Sequence, residues 1–337
     1  MLRRIIPIAV IIVGFSVFPL VTNDNFFQNL TITILIFATF ATAWNIAGGL
    51  TGLFSLGHGV MFAIGAYGAV LLSRDVGIPV LVAIPLSAVV ASLVALLIGL
   101  MSLRLSGHYF ALATLAFGAI GVVLLNNFAD ITGGDEGISI PFTPDPWGLV
   151  FQGKVPYLFL NLGVYVGTVL IFIALVRSKW GYRMRAIRED ETTARSMGVS
   201  VLRTKLFAVS LSAFLSSIAG SMFAFYSLYI TPENTASVST SLEPALMSII
   251  GGMGGVFGPL VGAILITLLQ QQVITVIGAA VPGLANLIYG ALLIVCILLI
   301  PKGLLGFLDQ LRLSKRIAKK PAQPEEIPEP EKDLESV

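Results

Sequence analysis

The sequence predicts an all-α polytopic membrane protein, a bundle of about ten transmembrane helices, some of them broken. Three observations predict it. The 337 residues are 56% hydrophobic and 11% charged, with a mean hydropathy of +0.93, far from the balance of a soluble globular chain. The apolar residues gather into runs of about twenty, the length that crosses ~30 Å of hydrocarbon as helix, and the ten-residue alternation of a membrane barrel is absent. The charges gather between the runs. Residues 177–205 alone hold eight of the twenty basic residues and three of the eighteen acids.

In order, Arg3 and Arg4 precede an apolar run at 5–21 with no small-residue cleavage site after it, which predicts an uncleaved first span. Further spans are expected at 28–47, 58–73, 79–101, 109–126, 157–176, 206–229, 241–252, 259–277 and 284–300, the eighth too short to cross unaided. Cys296, the single cysteine, lies within the last run and reads as core filler, so neither a disulfide nor a thiolate metal site is expected. These spans form a membrane domain over 1–306. The tail, 307–337, carries a juxtamembrane basic cluster (Arg312, Lys315, Arg316, Lys319, Lys320) suited to anionic lipid headgroups, then a Pro- and Glu-rich stretch that reads as disordered.

Basic residues fix the orientation. With both termini inside, ten crossings leave two basic residues outside, Arg74 and Lys154, and eighteen inside. The 177–205 loop is then cytoplasmic. Its middle, within the basic stretch 183–198, predicts one short surface helix: Glu189, Asp190 and Glu191 suit a positive N-terminal end, and Gly198 is placed just past the C-terminus. Such a helix reads as a docking knob for a soluble partner. The outer loops carry Asp130, Asp135, Glu136, Asp145, Glu233 and Glu243 and are acidic on balance.

Two glycine-dense turns interrupt the apolar pattern at 48–59 and 251–263. Without gaps, GGLTGLF and GGMGGVF share Gly48/Gly251, Gly49/Gly252, Gly52/Gly255 and Phe54/Phe257, the kind of trace an internal duplication leaves. Broken helices at corresponding places in two halves point to a transport path, because unwound backbone at membrane depth must line a cavity or be buried in protein. Small residues that merely let helices pack closely account for the pattern equally well. Phe54 and Phe257 are candidate apolar constrictions or plain filler.

Several chemistries are missing. No phosphate loop, metal-ligand cluster, nucleophile triad or carboxylate pair occurs, and the spans hold almost no ionisable groups of the kind an ion-coupled carrier needs. Glu243, His58 and His108 fall near span ends and read as structural or interfacial. A neutral pathway with no energy source of its own implies that energy arrives from a partner.

Several motifs then resemble one family, the permease subunits of ABC importers for branched-chain and other hydrophobic amino acids, in their LivM-like branch. In WNIAGGLTGLFSLGHGVMFAIGAYGA the match runs through Asn45, Gly49, Gly52, Ser55, Gly57, His58, Gly65, Ala66 and Tyr67; in LRLSGHYFALATLAFG, through Arg104, Gly107, Tyr109, Phe110, Ala111, Thr114, Leu115 and Phe117. ITGGDEGI, RAIREDE with the following span, GGMGGVFGPLVGA and PKGLLG complete the set, which covers roughly residues 40–306. His108 departs from the pattern, as do Thr192 and Thr193 ahead of Ala194 and Gly198.

The resemblance implies an ABC importer permease bundle in a bacterial inner membrane, working with a second LivH-like permease, two cytoplasmic ATPases that carry the ATP and magnesium, and a periplasmic binding protein. This chain would bind no cofactor, metal or nucleic acid and would catalyse no reaction itself. ATPase coupling would fall to Arg183, Arg185, Arg188, Glu189, Asp190, Glu191, Ala194 and Gly198, with lipid phosphates as the other reading of the arginines. The path would be drawn from Asn45, Gly49, Gly52, Phe54, Ser55, Gly251, Gly252, Phe257 and Gly258, and the binding protein would dock at Asp135, Glu136 and Glu233. Urea, short amides and aromatic acids remain open as substrates, and an ATP-independent carrier or channel remains the competing class.

Overall fold

The computed structural model describes residues 24–103 and 107–277, together with positions 14, 290, 291 and 304. Apart from positions 14, 290 and 291, the expected spans at 5–21 and 284–300 lie outside the described residues, as do Arg104, Cys296 and the 307–337 tail.

Among the described residues, helices form wherever a long apolar run is free of glycine clusters. Asp24 opens the first, α1 (Asn25–Asn45), its carboxylate accepting the Phe26 N–H at 2.8 Å. Helix α1 runs on into a π-helical turn, Ile46–Leu50. There follow α2 (His58–Arg74), α3 (Val80–Ser102), α4 (His108–Asn127), the single turn α5 (Ala129–Thr132) and α6 (Lys154–Arg177). The loop helices α7 (Lys179–Glu189) and α8 (Glu191–Ser196) lead into α9 (Val201–Ser227), and α10 (Pro232–Ala236), α11 (Val238–Gly251) and α12 (Gly258–Ile277) complete the described chain.

Eight of the expected spans coincide with α1, α2, α3, α4, α6, α9, α11 and α12 to within a few residues. Five stretches among the described residues are long and apolar enough to cross a membrane: Asn25–Leu50, Val80–Ser102, His108–Asn127, Lys154–Arg177 and Val201–Ser227. Helices α2 and α11 fall short at 17 and 14 residues. The reason is local: the glycine turns take up chain at the start of α2 and between α11 and α12.

The fold is not wholly helical. Two short strands, β1 (Ile138–Ser139) and β2 (Tyr229–Ile230), pair antiparallel and tie the 128–153 loop to the end of α9. The sequence held no alternating run long enough to reveal them.

Helix α1 stands in the middle, with 83% of its apolar window buried, against 17% for α4 at the rim. Ile32, Ile36 and Phe40 of α1 pack with Phe62 and Ala66 of α2 and with Met222 and Phe225 of α9. On its other side Ile34, Leu35 and Ala38 meet Leu162 and Tyr165 of α6, Met247 and Ile250 of α11, and Leu260 and Ala263 of α12. Burial is apolar on both faces, as a helix with no water-facing side requires. Helices α2 and α9 cross at close range because Gly65 faces the Ser217 backbone and Gly220 faces the Phe62 carbonyl. The Ser221 hydroxyl seals the crossing, donating to Gly65 O at 2.9 Å and Ser217 O at 3.0 Å.

Candidate functional site

The two glycine turns, far apart in sequence, meet in space. Asn45, the last residue of α1, is fully buried and spends both ends of its amide on the second turn. Its Nδ2 donates to Gly255 O at 2.9 Å, and its Oδ1 accepts from Gly254 N at 2.8 Å. Asparagine suits the place, since it presents one donor and one acceptor side by side to a backbone running past. Gly49 lies against Asn45 and 2.7 Å from Gly254 N by the position a Cβ would take, so no side chain fits there. A π turn at this point is in character, because such turns favour functional sites.

The rest of the first turn is held by a polar ring. Trp44 covers Gly48 and donates from Nε1 to Ser55 O at 2.8 Å. His58 bridges Ser55 Oγ from Nδ1 at 2.9 Å and Ser212 Oγ from Nε2 at 2.8 Å. Ser212 gives its own proton to Ala43 O at 2.7 Å, which makes Nε2 of His58 the donor in that pair. His58 thus ties α2, α9 and the turn together, the structural role expected of it. Thr114 of α4 accepts from Leu56 N at 3.0 Å, so the rim helix also touches the turn.

The candidate path residues distribute unevenly over this junction. Asn45, Gly49 and Gly52 are at its centre. Ser55 is buried in the polar ring, while Phe54 is 39% exposed and stands edge-on to Trp44 at 5.5 Å. Gly251, Gly252 and Gly258 form the tight α11–α12 corner, where a side chain on Gly251 would strike the Gly258 carbonyl and one on Gly258 the Gly252 carbonyl. Phe257 packs partly buried beside the α1–α6–α12 core. Close packing accounts for Gly251, Gly258 and Gly262, whereas a Cβ on Gly255 would meet only ordinary contacts, 3.4 Å from Gly252 O.

The 177–205 loop differs from its expected form in one respect. It folds into two helices, α7 and α8, with the break at Asp190. That residue, extended at φ −155°, ψ 116°, caps α8 by accepting from Thr193 N at 2.5 Å and the Thr192 hydroxyl at 2.7 Å. These hydrogen bonds, that of Thr192 foremost, hold its carboxyl down at about 2, below the ordinary 3.8. Glu189 accordingly ends α7 instead of starting a helix. Gly198, at φ +80°, follows α8 as the expected C′ residue, its N–H bonding Arg195 O at 3.0 Å.

Both loop helices are seated firmly. Gly181, Met184 and Ile187 bury one face of α7, and Met184 joins Ile46, Leu50, Phe172 and Leu215 in a core shared by α1, α6 and α9. Ala194 of α8 is buried with Ile187 and Val201. Glu191 bonds Arg195 at 3.1 Å and the largely buried Lys205 of α9 at 2.6 Å.

The three candidate arginines do three different things. Arg183 lies exposed over the Trp180 ring at 5.4 Å. Arg185 turns back to cap the end of α6, donating to Val176 O at 2.9 Å. Arg188 reaches inward and donates from Nη1 to the Gly49 carbonyl. Beside it opens a cleft of about 140 Å³ whose walls include Gly52, Phe54, Phe110, Arg188, Glu191 and Lys205.

At the opposite end, Asp135 and Glu136 sit exposed on a 3-10 turn and Glu233 exposed on α10. The β1–β2 pairing brings these segments together, and Tyr229 donates its hydroxyl to Glu136 O at 2.8 Å. The glycines of ITGGDEGI explain themselves here. Gly137, at φ +72°, passes so close to the Ile230 carbonyl that only glycine fits.

Sequence reasoning passed over Trp44, Ser212 and Lys205. A signal existed for Ser212: Ser212, Ser216, Ser217 and Ser221 place four hydroxyls in the apolar middle of α9, and all four are fully buried. Nothing local marked Trp44 or Lys205, whose partners lie 11 and 14 residues away.

The family described as branched-chain amino acid transport system / permease component matches residues 26–297. The chain is 31% identical over 309 residues to the high-affinity branched-chain amino acid transport system permease protein LivM of Escherichia coli, covering 85% of this chain and 71% of that protein. It is 31% identical over 220 residues to the probable ABC transporter permease protein y4mJ of Sinorhizobium fredii, 59% of this chain and 63% of that one. To the probable branched-chain amino acid transport permease protein LivH of Methanocaldococcus jannaschii it is 27% identical over 271 residues, 76% and 84% of the respective chains.

Proposed function

The chain belongs to the family of branched-chain amino acid transport system permease components, and from that premise we propose that it is the permease subunit of an ATP-driven importer carrying branched-chain or other hydrophobic amino acids into the cytoplasm. It pairs with a second, LivH-like permease. Two cytoplasmic ATPases hold the ATP and magnesium, and a periplasmic binding protein delivers substrate. Likeness to both LivM and LivH relatives favours a pair of similar subunits.

The observation that carries this reading is the seating of α7 and α8. They are wedged against the ends of α1, α6 and α9 through Met184, Ile187 and Ala194, yet leave Tyr182 and Met197 exposed at 65% and 79% on a charged loop. A surface of that kind, rigidly joined to membrane helices and rimmed with charge, suits a protein partner that pushes or pulls. The acidic group of Asp135, Glu136 and Glu233 at the other end suits a binding protein. Substrate itself would pass near the Asn45 junction, where backbone is unwound.

Reconstitution tests the proposal. Proteoliposomes holding both permeases and the ATPases, supplied with binding protein, should take up labelled leucine only with ATP, and omission of this chain should abolish uptake. Uptake by the purified chain alone, driven by a proton or sodium gradient, would refute it.

A further inference from the structure

We propose that Arg188 is the positioning residue that transmits motion of the cytoplasmic helices to both glycine turns at once; this rests on the coupling role proposed above. Among the arginines of α7, Arg183 lies over Trp180 and Arg185 caps α6, so neither reaches the turns. Arg188 does. Its Nη1 donates to the carbonyl of Gly49 in the π turn and lies 2.8 Å from where a Cβ on Gly254 would sit. Its Cγ is 3.4 Å from the corresponding position on Gly52.

These contacts close a ring. Asn45 holds Gly254 and Gly255 of the second turn; Arg188 holds Gly49 of the first and packs on Gly254; α7 is anchored by Met184 to the end of α1. A displacement of α7 therefore acts on both turns together instead of on one. The bond is also of a kind that can be released. Glu191, the carboxylate sharing the cleft, is already engaged by Lys205 and Arg195. Among the described residues the guanidinium is thus held by a neutral carbonyl and not by an ion pair, and a hydrogen bond weakens steeply once its geometry is lost. Gly254 adds a second constraint: at φ +77° and under the guanidinium, it admits no side chain without moving Arg188.

The test compares leucine uptake with ATP hydrolysis in the reconstituted complex. Arg188→Ala should leave the ATPases bound and hydrolysing while transport per ATP falls about tenfold or more, the scale of one charge-assisted hydrogen bond. Arg188→Lys, which restores a charged N–H donor, should recover part of that loss, and Gly254→Ala should reproduce it with the arginine intact. Should Arg188→Ala fail to assemble, the Lys and Gly254→Ala variants give the same reading. Transport per ATP unchanged in Arg188→Ala, or equally low in the Ala and Lys variants, would overturn the proposal. Absence of ATP-dependent uptake in the unmodified complex would instead remove the transport reading on which it stands.

Discussion

Gly220 shows how much one missing methyl matters in a helix with no water to retreat to. A Cβ there would land on the carbonyl of Phe62, part of the α2 backbone, so relief requires separating α2 from α9. Gly220→Ala should therefore destabilise the purified chain by about 2 kcal/mol, within the usual cost of overpacking. Gly163→Ala in α6, with nothing within 4 Å, should change stability by less than ~0.5 kcal/mol. Thermal unfolding in detergent followed by tryptophan fluorescence measures both; equal midpoints for the two variants would contradict the crossing described here. At this scale the sequence was informative about residue types and silent about pairings. Asn45 and the glycines stood out as a motif, but the partners of Asn45 lie 209 and 210 residues away, and no periodicity carries that information. The capping role of Arg185 was hidden for a related reason. A basic residue in a basic loop reads as a charge for a partner, whereas its neighbour in space is the open carbonyl end of the preceding helix.

Elements were more legible. Most boundaries of the described long helices fall where apolar residues give way to glycine, charge or proline, as at Asp24, Gly57, Arg74, Pro79, Gly107, Gly153 and Arg177, and those are written locally; the end of α9 at Ser227, before Leu228 and Tyr229, is not. The loop helices were legible in outline only. An acidic triplet suits the first turn of a helix, yet the same Asp190 that could lie within such a turn can cap a new one, and the hydrogen bonds from Thr192 and Thr193 decide for the cap. The β1–β2 ladder escaped notice because two residues per strand leave no pattern. It also makes the most direct prediction at this scale. Ser139 and Tyr229 face each other across it, and an antiparallel pair of that kind brings Cα atoms to ~4.5–5.5 Å, within disulfide range. In a background with Cys296→Ser, the pair Ser139→Cys and Tyr229→Cys should cross-link under mild oxidation. Ile140→Cys with Tyr229→Cys, one residue out of register, should not. Cross-linking of both pairs to the same extent would contradict the register, and with it the grouping of Asp135, Glu136 and Glu233.

For the molecule as a whole, the arrangement separates two jobs. The buried helices α1 and α9 form the centre, and the glycine turns give places where that centre is interrupted; Asn45 joins those places to each other and Arg188 joins them to the loop helix α7. Composition alone announced the membrane bundle, and the motif set announced its family, because both are properties of long stretches. How α7 reaches the turns was not legible, since it depends on a side chain crossing from residue 188 to residue 49. The central claim is that this polypeptide moves solute only because its α7–α8 surface is worked by separate ATPases. Replacing residues 189–198 with a Gly/Ser linker of equal length tests it most directly, with leucine uptake and binding-protein affinity measured on the same reconstituted complex. The account predicts that uptake is lost while the binding protein still docks with unchanged affinity. Uptake that survives the replacement would contradict it.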